Sequence, residues 1–320
     1  MGNFKDFNLN LKKVKGTESE ISMKKIEERA KKIGLTNIIG YLLFWIFLYI
    51  LSYFKTDESS ILPYDSLALF FAFLIPSIFI LKINFKKMFF NKNKLNIKSR
   101  IALIIIFISM YLVGATIDHF LGKSLNLDSL KSDPFLNLNF KMMIIRGIIV
   151  SITEEIIFRG IILENLREFG DGFAIICSSA IFGLIHQFRM IHAFVAGVFM
   201  GILYVITGNL RSSICFHIFM NLVLTIILYI LNSMFPTIGY DIAMVILTTF
   251  FLVIGIIVFN VSRKKNKEMK NFNINKLCII SRKIRDDNEK YKVFFGEAMM
   301  LLIILFTIGS MVIEILEVIC

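Results

Sequence analysis

The chain has 320 residues, 56% of them hydrophobic and only 19% charged, and a formal net charge of +12. A soluble globular domain is about 45–50% apolar and about 25% charged, so this composition excludes an ordinary soluble enzyme. The positive charge does not point to a nucleic-acid partner. Lys and Arg gather in three blocks before or between long apolar runs, as in the cytoplasmic loops of a helical membrane protein.

Residues 1–34 are polar and basic and read as a cytoplasmic N-terminal segment. Within it Ile21, Ile26, Ala30 and Ile33 recur at helical spacing among Lys and Glu. This pattern predicts an amphipathic helix, lying on the membrane surface or simply solvated. Apolar runs follow near 35–54, 66–83, 101–117, 142–163, 173–190, 191–207, 213–232, 242–260 and 298–317. A bilayer takes about 20 helical residues to cross, and only helices or closed barrels satisfy backbone groups in lipid. These runs are continuous rather than alternating, so the expected fold is all-α: a polytopic helical membrane protein of about 8–9 transmembrane helices. The expected organisation has N-terminal helices at 35–139 and a four-helix core at 140–232. C-terminal helices then occupy 233–320, with a basic cytoplasmic loop near 261–296.

Orientation follows from the basic blocks. They comprise Lys5 to Lys32, Lys82 to Arg100, and Arg263 to Lys292, whereas 55–65 has only Lys55 against Asp57, Glu58 and Asp65. Nine spans put all three blocks on one side. The expectation is a multi-pass cell-membrane protein with a cytoplasmic N-terminus and an outside C-terminus.

Ionisable residues inside membrane spans are costly and mark functional sites by default. The fourth run reads R-G-I-I-V-S-I-T-E-E-I-I-F-R-G and carries Glu154, Glu155 and Arg159. Glu155 and Arg159 are four apart and share a helix face, so they can pair. Glu154 lies about 100° around the helix and needs a partner from another element. His186 in the fifth run, and His217 with Asn221 in the seventh, supply such partners. A carboxylate beside an imidazole can deprotonate water, and a His and an Asn on one face can donate to a developing oxyanion. Buried Glu-Arg pairs and lone intramembrane His residues also serve as assembly devices. The concentration of all of them in three of four consecutive runs is what favours chemistry. His192, His119 and Asp171 read as interfacial or turn residues. Other intramembrane protease signatures are missing from the sequence: there is no H-E-x-x-H, no G-x-S-G in any run, and G-D-G at 170–172 is not G-x-G-D. The four cysteines, Cys177, Cys215, Cys278 and Cys320, form no C-x-x-C pair.

These residues resemble the CPBP family, which includes type II CAAX prenyl endopeptidases and Abi bacteriocin-immunity proteins. Glu154-Glu155-x-x-x-Arg159 fits the family's E-E-x-x-x-R, Phe182-x-x-x-His186 its F-x-x-x-H, and His217-x-x-x-Asn221 its H-x-x-x-N. The likeness covers roughly 140–232. It implies an intramembrane glutamate-type endopeptidase acting on a membrane-associated peptide or protein. By the resemblance, Glu154 and His186 would activate water, and His217 and Asn221 would hold the oxyanion. Glu155, Arg159 and Phe182 would support them. The family has also been described as metallopeptidases. A Glu and two His can ligate zinc, but Asn221 would be an unusual fourth ligand, so no metal or cofactor is expected. The alternative is a non-enzymatic immunity or partner-binding membrane protein that keeps the motif scaffold.

Overall fold

The computed structural model describes residues 4–53, 64–81, 88–89, 97–124, 140–235, 238–265 and 288–319. Most of the basic loop near 261–296 and of the basic connection 82–100 lies outside them. Among the described residues all regular structure is helical.

The first helix, α1 (Phe4–Ser52), runs without a break through position 34. It includes the segment read from the sequence as an amphipathic helix, lying on the membrane surface or solvated. Ile26, Ala30 and Ile33 are fully buried, and α1 packs on the two C-terminal helices. Periodicity identified the apolar face, but protein rather than lipid covers it. Next, α2 (Tyr64–Leu81) packs along α1. Gly40 permits the approach, because a Cβ there would lie 2.7 Å from the Phe73 ring. The third helix, α3 (Ile97–Ser124), pairs with α9 (Ile238–Lys265) and covers α6 (Met190–Thr207).

The central segment begins with α4 (Phe140–Glu155), which passes directly into an eight-residue π-helix, Ile156–Leu163. A 3-10 turn and Gly170, at φ +124°, then reverse the chain into α5 (Asp171–Ile185). The next break falls at His186 to Arg189 rather than at 190/191. Gln187 stops the helix with a left-handed φ of 48°. Gly208 (φ +61°) closes α6, and the Asn209 side chain caps α7 (Leu210–Phe219) by accepting from the Arg211 N–H at 2.9 Å. Such glycine and Asn punctuation is typical of helix ends. A second π-helix, Met220–Leu224, follows α7 and leads into α8 (Thr225–Met234). In this segment α5 packs on α6, and α7 packs on both α4 and α6. Close packing of α5 on α6 depends on Gly197, where a Cβ would lie 3.0 Å from the Ser179 backbone. At the C-terminus, α10 (Asn288–Gly296) and α11 (Ala298–Ile319) meet at a 73° bend.

Among the described residues, four helices are long and apolar enough to cross a bilayer: Ser22–Leu51, Ser99–Ser124, Gln187–Thr207 and Gly239–Ser262. The bent C-terminal pair would make a fifth. The nine runs of the sequence are therefore not equivalent. Ser66–Leu81, Asp171–Ile185 and Leu210–Val223 are apolar but shorter, and α4 with its π extension carries Arg146, Glu154, Glu155 and Arg159. Exposed Trp45, Phe79, Ile246 and Leu305 give the outer helices the apolar surface a bilayer covers.

Candidate active site

The charged residues of the central segment converge where α4 becomes π-helical. Glu155 and Arg159 are almost wholly enclosed, at 0% and 1% exposure. The Arg159 Nη1 donates to Glu155 Oε1 at 2.7 Å, and its Nη2 donates to the Gly197 carbonyl at 3.3 Å. The guanidinium also sits over the Phe182 ring, 4.6 Å from its centroid. Isolated charge in such surroundings is costly, and only pairing makes it tolerable. The π-helix around Arg159 is itself held by the Ser178 hydroxyl, which donates to the Phe158 carbonyl at 2.7 Å. Short π segments in helices recur at functional sites, and here both of them coincide with motif residues.

His186 caps the end of α5 with its own ring. Its Nδ1 lies 2.7 Å from the Phe182 carbonyl. A carbonyl only accepts, so Nδ1 carries the proton and Nε2 presents its lone pair. That Nε2 faces Glu154 Oε1 at 3.8 Å. His217, from α7, is set between the two glutamates. Its Nδ1 is 3.0 Å from Glu155 Oε1, and its Nε2 is 3.5 Å from Glu154 Oε2. Phe182 holds the group together, with its ring centroid 4.4 Å from that of His186 and 6.0 Å from that of His217.

Two features are absent from the sequence expectations. The first is the bond of His217 Nδ1 to Glu155. The second concerns Asn221, in the second π-helix, whose Nδ2 donates to the Ser151 hydroxyl at 3.0 Å. Ser151 in turn donates to the Gly147 carbonyl at 2.6 Å. It stands one helical turn before the glutamates, and that spacing was the only signal in the sequence. One hydrogen of the Asn221 amide is thus engaged, and a second remains. Elsewhere, His192 pairs with Asp118 at 2.8 Å, His119 with Asp241 at 2.7 Å, and Asp171 with Arg167 at 2.8 Å.

A cleft of about 50 Å³ opens onto Glu154. Ile157, Phe158 and Ile185 form its wall on the central segment, and residues of α1 and α2 form the opposite wall. Among the described residues no group of three His, Cys, Asp or Glu side chains is gathered closely enough to hold a metal ion.

Fold and site together describe a helical membrane protein with an enclosed carboxylate–imidazole cluster in its central segment. Comparison with known families gives the class: residues 136–223 match the model of the Rce1-like type II CAAX prenyl endopeptidases. This segment is therefore similar to the CPBP protease family over little more than a quarter of the chain. No curated protein and no solved structure gives a significant match to the chain.

Proposed function

We propose that the protein is an intramembrane endopeptidase that hydrolyses a peptide bond in a membrane-associated peptide or protein through a water activated by Glu154 and His186. The observation that carries this is the convergence of both imidazole Nε2 atoms on one carboxylate, at 3.5 and 3.8 Å, at the edge of a cleft. The 3.8 Å gap is too long for a direct hydrogen bond but suits two groups that share one water. Such a water gives one O–H to Glu154 and the other to the lone pair of His186 Nε2. Its own lone pair is then free to attack the scissile carbonyl carbon. As the C–O bond forms, Glu154 takes the proton. The developing oxyanion is met by the second Asn221 N–H and by His217, which donates from Nε2 when both of its nitrogens are protonated. Glu154 then hands its proton to the leaving amine, and the C–N bond breaks. No metal or cofactor enters this sequence.

The chain is a multi-pass protein of the cell membrane in this reading, with a cytoplasmic N-terminus and an outside C-terminus. Two contacts support a shared cytoplasmic side. Arg29, near the start of the first candidate span, reaches Glu168 at 2.8 Å, and Lys290, near the start of the bent C-terminal pair, reaches the Phe169 carbonyl at 3.2 Å. Basic residues from both ends of the chain thus meet at one turn.

The test is cleavage of a candidate membrane peptide by purified wild type beside Glu154→Gln. Activity that falls by about 10²–10⁴-fold or more, with membrane abundance unchanged, is expected. Near wild-type cleavage by Glu154→Gln would sink the mechanism. A biological phenotype that survives the substitution would favour the immunity or scaffold role.

A further inference from the structure

The cleft at Glu154 is closed on its far side by residues outside the family segment: Asn37 and Tyr41 of α1, Leu69 and Phe73 of α2. Tyr41 and Phe73 meet edge to face, 5.3 Å between centroids, and so form a firm corner. Asn37 is a polar residue on the cleft, with Glu154 and Tyr41. It is only 4% exposed, and its Nδ2 donates to the Ile33 carbonyl at 2.8 Å. Because a carbonyl accepts and cannot donate, this bond fixes which end of the amide is nitrogen. The amide oxygen is left as an acceptor with no hydrogen bond. A spare acceptor bordering the cleft that holds a proposed catalytic carboxylate has an evident use.

We infer that α1 and α2 form the substrate subsite next to the scissile bond: Tyr41, Leu69 and Phe73 receive one branched aliphatic side chain, and the Asn37 amide oxygen accepts an N–H of the substrate backbone. This rests on the endopeptidase reading above. A space of about 50 Å³ holds about four water-sized groups, which matches the side-chain carbons of valine or leucine and excludes an indole. Apart from Asn37, Glu154 and the Tyr41 hydroxyl the lining is apolar, so most of the surface a side chain would meet there is hydrocarbon. The subsite belongs to helices that the family segment lacks, and it would give this chain its own specificity on a shared catalytic centre.

The full chain in nanodiscs is assayed with internally quenched fluorescent peptides in which one residue is varied through alanine, valine, leucine, phenylalanine, tryptophan and lysine. Cleavage is measured on the active protein, and binding by anisotropy on Glu154→Gln. Wild type should prefer valine or leucine. Leu69→Ala and Phe73→Ala should move the preference to phenylalanine or tryptophan, and Leu69→Phe should move it to alanine. Asn37→Ala should weaken binding of every peptide about fivefold to tenfold, the size of one ordinary hydrogen bond, without reordering them. Leu42→Ala, on the exposed face of the same helix, should change nothing. Phe73→Ala also removes the ring contact with Tyr41, so the half-buried Leu69 carries the test if that variant misfolds. Preferences that stay unchanged in the Leu69 variants, or peptides that do not bind at all, would overturn the subsite. Shifted binding preferences together with cleavage that does not need Glu154 would leave the subsite standing and remove the proposed mechanism instead.

Discussion

The adjacent glutamates differ in what holds them, and this sets up a sharp prediction for Glu155→Gln. Glu155 Oε1 accepts from both Arg159 and His217, at 2.7 and 3.0 Å. Once its charge is removed, Arg159 keeps only the Gly197 carbonyl at 3.3 Å and the Phe182 ring at 4.6 Å. Neither neutralises a guanidinium that is 1% exposed. Breaking a buried pair on one side costs about 3–5 kcal/mol. Glutamine keeps one acceptor for one of the two donors, so the lower end, about 3 kcal/mol, is expected. At about 2–4 °C per kcal/mol for a chain of this order of size, the melting temperature should fall by about 6–12 °C. Glu154 has no such bond to a permanent cation, and Glu154→Gln should melt within about 2 °C of wild type while losing cleavage. A double variant, Glu155→Gln with Arg159→Met, should recover most of the lost stability, because no unpaired charge remains, yet stay inactive. Thermal unfolding of detergent-solubilised protein, membrane abundance and peptide cleavage are measured side by side. If Glu155→Gln melts with wild type while Glu154→Gln does not, the assignment of structural and chemical roles is reversed and the reasoning fails.

Further outcomes are expected from smaller perturbations. Asn221→Ala should cut kcat about 10²–10³-fold, as losing one oxyanion donor does, while Ser151→Ala, which frees that amide without removing it, should cost tenfold or less; equal losses would make the amide a packing group. Gln187→Gly relieves a left-handed φ of 48° but forfeits the hydrogen bond of Gln187 to Ser310 at 3.0 Å. Stability should then change by no more than about 1 kcal/mol while kcat falls, read by melting temperature and initial rates. Purified protein should carry less than stoichiometric zinc by elemental analysis and keep activity in chelator; stoichiometric zinc lost in His186→Ala would restore the metallopeptidase description. Reporters fused after residues 95 and 275 should be cytoplasmic and those after 60 and 130 outside; an outside signal at 275 would invert the topology.

How much of this was legible in the sequence depends on whether a partner lay on the same helix. The Glu155–Arg159 bond follows from four-residue spacing, and the bond from His186 to the Phe182 carbonyl spans the same interval. Links between helices were not legible in the same way. The choice of Glu155 by His217 Nδ1, the acceptance of Arg159 by the Gly197 carbonyl, and the anchoring of Asn221 on Ser151 depend on where α6, α7 and the second π-helix arrive. Hydropathy found the apolar runs. It could not tell a helix long enough to span from one shortened by a left-handed Gln187 or loaded with charges. Nor could it say what covers an apolar face, as Ile26, Ala30 and Ile33 demonstrate. The π segments left no trace, because a shift of hydrogen-bond register changes neither composition nor spacing.

The imperfection of the buried pair is itself informative. Glu155 Oε2 and Arg159 Nε are both enclosed, and neither has a hydrogen-bond partner. Such a network is a poor device for stability, since two apolar side chains of the same size would often serve as well or better. What apolar side chains could not do is aim a ring. Glu155, fixed by Arg159, accepts a hydrogen bond from His217 Nδ1 and so turns the opposite nitrogen toward Glu154. Arg159 is fixed in turn by the Gly197 carbonyl and by Phe182, whose own carbonyl turns the Nε2 of His186 toward the same oxygen pair. Each imidazole is therefore oriented through its Nδ1 by an acceptor that traces back to Arg159 or to the residue beneath it. The energetic cost of burying that charge is the cost of holding two ring nitrogens at 3.5 and 3.8 Å from one carboxylate. This is why the charge-free double variant should fold well and cleave nothing.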